Sequence, residues 1–181
     1  MKSPGNDLLL IAGKSLTLLI QGLMALASAT IILVMIALPF YHDSINIEAR
    51  AEFGPDITAM PFGAVLVLLA VVCVLCAAVF LFFGKLRGII DTVAAGDPFV
   101  PENADRLSAM GWILIGIHAL TFVSTATAAI VSAWAAQFTD TTLEGGFDIS
   151  LTPVLMVIVL FILARVFRHG AAMREDLEGT V

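Results

Sequence analysis

Four long apolar runs organise the chain: residues 15–39, 61–83, 109–133 and 150–167, with short polar segments between them. A helix needs about 20 apolar residues, at 1.5 Å rise, to cross a hydrocarbon core ~30 Å thick. The pattern therefore predicts an all-α membrane protein, a four-transmembrane-helix bundle forming one membrane domain over residues 1–181. Pro61 and Pro153 fall where a first helical turn accepts proline. Beyond Phe83 the helical spacing persists through Leu86, Ile89, Ile90 and Val93, and Gly96 is a natural stop. Asp97-Pro98-Phe99 then turns the chain, and Pro101, Glu102 and Asp105 suit a new helix N-terminus. Residues 84–108 thus read as a helical hairpin leaving the membrane. The last helix is expected to reach Met173 or beyond, within a tail of residues 168–181; residues 1–7 are expected to fray.

The two remaining loops, 40–60 and 134–149, read differently. The first run is expected to end near Pro39, with Tyr41 and His42 at headgroup level. From Ile45 to Phe53 apolar and polar residues alternate, the two-residue period of a strand with one wet face. Phe138–Leu151 is threonine-rich around Gly145-Gly146, a hairpin signal. Together the loops predict a small extracytoplasmic β-sheet; the alternative is two acidic loops without regular structure.

Composition supports the membrane reading, because 60% hydrophobic and only 13% charged residues compare with about 25% charged in soluble domains. Charge sets the topology. Lys2, Lys14, Lys85, Arg87, Arg106, Arg168 and Arg174 lie in one alternating set of segments, with Arg165 just inside the last span; the other set holds only Arg50. Basic residues are retained in the cytoplasm, so both termini and the hairpin should be cytoplasmic (N-in, C-in), as in a multi-pass protein of a bacterial inner membrane. The outer loops are acidic, and no basic face suits direct binding of nucleic acid. The first apolar run continues through Ile31–Ile36, too long for an ordinary cleaved signal, so it reads as an uncleaved span.

Inside the spans, Gln21 and Ser28 lie near one face of the first helix, and His118, Thr121, Thr125 and Ser132 share a face of the third. Polar side chains in lipid find partners, and small neighbours such as Gly111 and Ala129 let helices approach; packing is the first reading. The second is a polar pocket, with His118 as a proton-responsive or ligand-binding group. Ion transport normally calls for charged groups within the spans, and here none lies away from the span ends. Cys73 and Cys76 form C-x-x-C deep in an apolar helix, with no basic neighbour in sequence to stabilise a thiolate, so they read as packing residues. No catalytic, phosphate-binding or metal-binding motif is present, and Asp97, Glu102 and Asp105 read as helix capping. The chain is therefore expected to be non-enzymatic, without metal or cofactor; an enzyme would need chemistry hidden in its loops. Homo-oligomers through the small-residue faces and contacts with membrane lipids are the expectations for partners.

Gly96-Asp97-Pro98-Phe99, Glu102-Asn103, Arg106-Leu107 and Gly111 resemble the inner-loop signature of a bacterial family, domain of unknown function 2975. Ala164-Arg165-Val166-Phe167-Arg168-His169-Gly170, Met173-Arg174-Glu175-Asp176, Leu177 and Thr180-Val181 are similar to its ending. The resemblance implies four spans and no established activity. It also implies a setting beside very small helix-turn-helix regulators of the Cro/C1 type. A cytosolic partner docking at the inner face would meet Pro98, Phe99, Asn103, Arg106, Arg165, Arg168, Glu175 and Asp176. Phe99 would serve as an apolar anchor, Asn103 would bond a helix end, and Arg106 would pair with Glu175 or Asp176. The same residues have an internal reading, in which Phe99 packs under the tail and Asn103 caps a helix. The expected function is binding and control of such a regulator; the alternative is a small transporter, channel or lipid- or ligand-binding bundle using the pocket near Gln21 and His118.

Overall fold

A computed structural model describes residues 8–138 and 151–178. Among these residues the chain is wholly helical: α1 (Leu8–Phe53), α2 (Phe62–Ala94), α3 (Pro101–Ala135) and α4 (Thr152–Glu178). All four are long and apolar enough to cross a membrane, the make-up of a multi-pass membrane protein. The helix starts at Pro61/Phe62 and Pro101, the stop at Gly96 and the extension of α4 past Met173 follow the sequence pattern. Gly96 has φ +83°. Its N–H donates to Val93 O and that of Asp97 to Thr92 O, both at 3.0 Å. This is the paired closure that a left-handed residue after a helix permits.

The expected strand at 45–53 is not formed. Those residues are the last turns of α1, which passes through Pro39 without ending. Proline withholds one N–H from the helix, a loss that membrane helices tolerate. Once the apolar run has nucleated a helix, each further residue adds a hydrogen bond at little cost. Ala49, Ala51, Glu48, Glu52 and Arg50 are all good helix formers. Alternation over nine residues is a weaker force than propagation of an existing helix. Asn46 shows the result: its amide donates to His42 O at 3.0 Å, one turn back, and its Oδ1 accepts from Met60 N–H at 2.8 Å. The helix ends where Gly54, at φ +107°, donates to Arg50 O. The hairpin expected around Gly145-Gly146, the fraying of 1–7 and the terminal Thr180-Val181 lie outside the described residues.

The helices contribute to two compact units, one from Met1–Ala25, Ala77–His118 and Ser150–Val181, the other from Leu26–Cys76 and Ala119–Ile149. The first holds the main core. Ile89, Leu107, Met110, Leu160 and Ala164 are buried together, with Phe82, Leu86, Val93, Leu114 and Phe167 packed around them. Gly111 lets α3 approach α4: a Cβ there would sit 3.0–3.2 Å from three ring carbons of Phe161. In the second unit a clamp joins the segment before α2 to the end of α3. Thr58 N–H donates to Gln137 Oε1 at 3.0 Å, and the Trp134 indole donates to Thr58 O at 3.0 Å. Elsewhere large apolar side chains such as Leu19, Leu33, Ile36, Val154 and Ile162 are exposed, as expected where lipid rather than protein covers a helix.

Candidate functional site

The two stretches that carry the family resemblance meet in the first unit, where α2 turns into α3 and α4 runs alongside. Asn103 is the centre of this region, with 0% of its surface exposed. Its Nδ2 donates to Thr92 Oγ1 at 2.7 Å and to Pro98 O at 2.9 Å. Its Oδ1 accepts from Arg106 Nη1 at 2.7 Å. Pro98 O can only accept and the guanidinium can only donate, so the network fixes the amide's orientation. Thr92 in turn donates to Ile89 O at 2.8 Å, and Arg106 Nη1 also donates to Gly88 O at 3.1 Å. Gly88 is required by that contact, because a Cβ there would lie 2.9 Å from Arg106 Nε. The end of α2, the turn and the first turn of α3 are thus held by one side chain and its partners.

Arg106 was expected to pair with Glu175 or Asp176. It instead bonds Gly88 O and Asn103, because α3 presents it across to α2 and a guanidinium partly out of water takes the nearest fixed acceptors. The tail is tied by other pairs: Arg174 with Asp97, and Arg168 Nη2 with Asp105 Oδ1 at 3.4 Å. Lys14 Nζ reaches Asp91 Oδ1 at 2.7 Å and joins α1 to α2. Thr92 and Gly88 belong to the region without a signal in the sequence, and Gly170 enters there only as part of the family-like ending. Gly88 and Gly170 serve by lacking a Cβ, a role that only the facing side chain discloses.

Phe99 lies on the surface side of this region. Its ring packs on Phe167 with centroids 5.5 Å apart. It also lies on Gly170, where a Cβ would come within 2.7 Å of the ring. It nonetheless remains 43% exposed. Beside it runs an open groove of about 870 Å³, lined by Phe99 and by Ile162, Arg165, Val166, His169 and Met173 of α4. Arg165, Glu102 and Glu175 are exposed and have no ion-pair partner among the described residues. The inner-platform candidates therefore divide. Asn103 and Arg106 hold the fold and Pro98 offers its carbonyl to it, while Phe99, Arg165, Arg168, Glu175 and Asp176 face outward.

The intramembrane candidates are spread along the helices. In the first unit Gln21 Nε2 donates to Phe80 O at 3.3 Å, binding α1 to α2, and His118 Nδ1 meets Leu114 O of its own helix at 2.7 Å. In the second unit Thr125 Oγ1 donates to Thr121 O at 2.9 Å. Thr125 also lines a cavity of about 310 Å³ with Leu68, Val72, Ser124, Ala128 and Ser132. The hydroxyls of Ser124, Thr125 and Ser132 all donate to carbonyls of α3 itself. Cys73 and Cys76 are free thiols. Among the described residues no group of three His, Cys, Asp or Glu side chains is placed to hold a metal ion.

No curated protein and no solved structure matches the chain. A family profile matches residues 46–181, which takes in the last turns of α1, the whole of α2 and α3, the network around Asn103 and the whole of α4. The chain belongs to the family described as Protein of unknown function (DUF2975).

Proposed function

We propose that the chain is a non-enzymatic, multi-pass protein of a bacterial inner membrane that binds and restrains a small cytosolic helix-turn-helix regulator. The proposed topology is N-in and C-in, which follows from the lysine and arginine distribution and puts the α2–α3 turn and the end of α4 in the cytosol. The observation that carries the reading is the contrast at that turn. A rigid, internally bonded base supports an exposed aromatic ring, Phe99, with exposed carboxylates on the first turn of α3 (Glu102) and the last turn of α4 (Glu175). An aromatic anchor on a fixed base is the kind of residue that dominates interfaces. Glu102 and Glu175 would meet basic residues of a DNA-binding protein, while Arg165 and Arg168 line the groove beside the ring. A regulator held there would have its DNA-binding face covered.

The test is crosslinking in native membranes followed by recovery of the chain. The parent should bring down a small helix-turn-helix protein, and Phe99→Ala combined with Glu102→Lys should lose it. Arg106 is left unchanged, since its removal would disturb the base itself. Recovery of no DNA-binding protein by the parent, with the tail intact, would overturn the proposal.

A further inference from the structure

We propose that the groove between Phe99 and the outer face of α4 is a binding site for one anionic phospholipid. Arg165 and Arg168 hold its phosphate, and Ile162 and Val166 carry an acyl chain. This inference is independent of the regulator reading. Ile162, Val166 and Met173 fall on one face of α4 at intervals of four and seven residues, which gives an apolar wall about 16 Å long at 1.5 Å per residue. Such a wall can pass through the headgroup layer, about 5–7 Å on each side, and enter the hydrocarbon. It belongs to a helix of membrane-crossing length and apolarity.

The charge at this level points to an anion. Lys14, Arg106 and Arg174 are engaged with carboxylates or carbonyls of the chain, Arg87 reaches Asp91 at 4.0 Å, and the exposed Lys85 lies outside the groove. Arg165 has no ion-pair partner among the described residues, and it lines the groove. Arg168 lines it too, and its contact with Asp105 is long, 3.4 Å, between side chains 64% and 80% exposed. A pair of that kind contributes about 0–1 kcal/mol and yields readily to a phosphate. His169, on the same turn, also lines the groove. Apolar wall and cations one turn apart match a molecule with an acyl chain joined to a phosphate. A soluble anion would leave the wall uncovered, and an uncharged lipid would leave Arg165 without a partner. Long arginine stems at a helix end can extend along apolar surface to reach the headgroup level.

Native mass spectrometry of the detergent-solubilised chain, titrated with phosphatidylglycerol and separately with phosphatidylcholine, tests the site. The parent should bind phosphatidylglycerol more tightly. Arg165→Gln should weaken that binding about fivefold, the worth of one basic residue near an anionic lipid. Ile162→Trp, which fills the groove and keeps every charge, should weaken it as well. Lys85→Gln removes an exposed cation outside the groove and should leave the affinity unchanged. Equal loss in Lys85→Gln would show diffuse attraction and overturn the site, as would parent affinity in both Arg165→Gln and Ile162→Trp. An intermolecular disulfide through Val166→Cys in bilayers, in a background without Cys73 and Cys76, would assign the groove to a second copy and also overturn it. Phe99 borders both sites, so Arg165→Gln and Ile162→Trp, which leave Phe99 and Glu102 in place, are the variants in which lipid binding and regulator recovery fail separately.

Discussion

Replacing Asn103 by leucine is the sharpest test of the network. Three side-chain hydrogen bonds disappear: two donated, to Thr92 Oγ1 and Pro98 O, and one accepted from Arg106. A neutral bond is worth about 1 kcal/mol net, and one to a charged group about 1.5–3 kcal/mol, so the gross loss is about 3.5–5 kcal/mol. Leucine is close in size and buries apolar surface at a site with 0% exposure, which returns about 1 kcal/mol. Arg106 keeps Gly88 O at 3.1 Å and does not become an orphaned charge. The net expectation is a destabilisation of about 3 kcal/mol. Equilibrium unfolding in mixed micelles measures it, and amide hydrogen exchange should show protection lost first around 92–106. A double-mutant cycle with Arg106→Met should return a coupling of about 1.5–3 kcal/mol, the charged bond. A stability within about 0.5 kcal/mol of the parent, with exchange unchanged, would refute the claim that this side chain holds the turn.

Further outcomes follow from single contacts. Gly170→Ala must displace the Phe99 ring, which a Cβ would approach to 2.7 Å, so it should cost about 1–3 kcal/mol and speed proteolysis near residues 95–100. Gly111→Ala should push on Phe161, with Cβ contacts of 3.0–3.2 Å, and Phe161→Leu should rescue most of the loss in thermal stability. Trp134→Phe removes the indole bond to Thr58 O and should cost about 1 kcal/mol in micelle unfolding. Lys14→Gln breaks a pair whose side chains are 47% and 43% exposed and should change stability by less than about 1 kcal/mol, with the difference vanishing in high salt.

The helical architecture was legible because its signals are long and redundant. A run of about 20 apolar residues leaves few alternatives to a helix, and Gly96 and Pro101 add local chemistry that agrees with the pattern. The region 45–53 misled for a definite reason. Its alternation is a two-residue signal over a short stretch, whereas its fate was decided by the helix preceding it and by Ala, Glu and Arg content. Pro39 signals an end in sequence, yet proline inside a long apolar helix removes only one bond. A helix of 46 residues exceeds what one span requires, so the length of an apolar run does not by itself mark where its helix ends.

The candidate site was legible in membership and less so in role. The residues Pro98, Phe99, Asn103 and Arg106 do come together, but Arg106 takes acceptors on α2 rather than on the tail. A sequence names charges and leaves open which of several carboxylates or carbonyls a guanidinium meets; that choice is made by backbone geometry, here by the missing Cβ of Gly88. The same geometry decides how function can be sought. Asn103 and Arg106 are committed to the fold, so replacing them would impair any activity at this end without identifying it. Phe99, Glu102 and Arg165 are exposed on that fixed base. Their replacement removes an exposed ring, an acid and a groove-lining cation one at a time while the base stays intact. Different losses among these three variants would separate protein docking from lipid binding, whereas a common loss would trace both to the base they share.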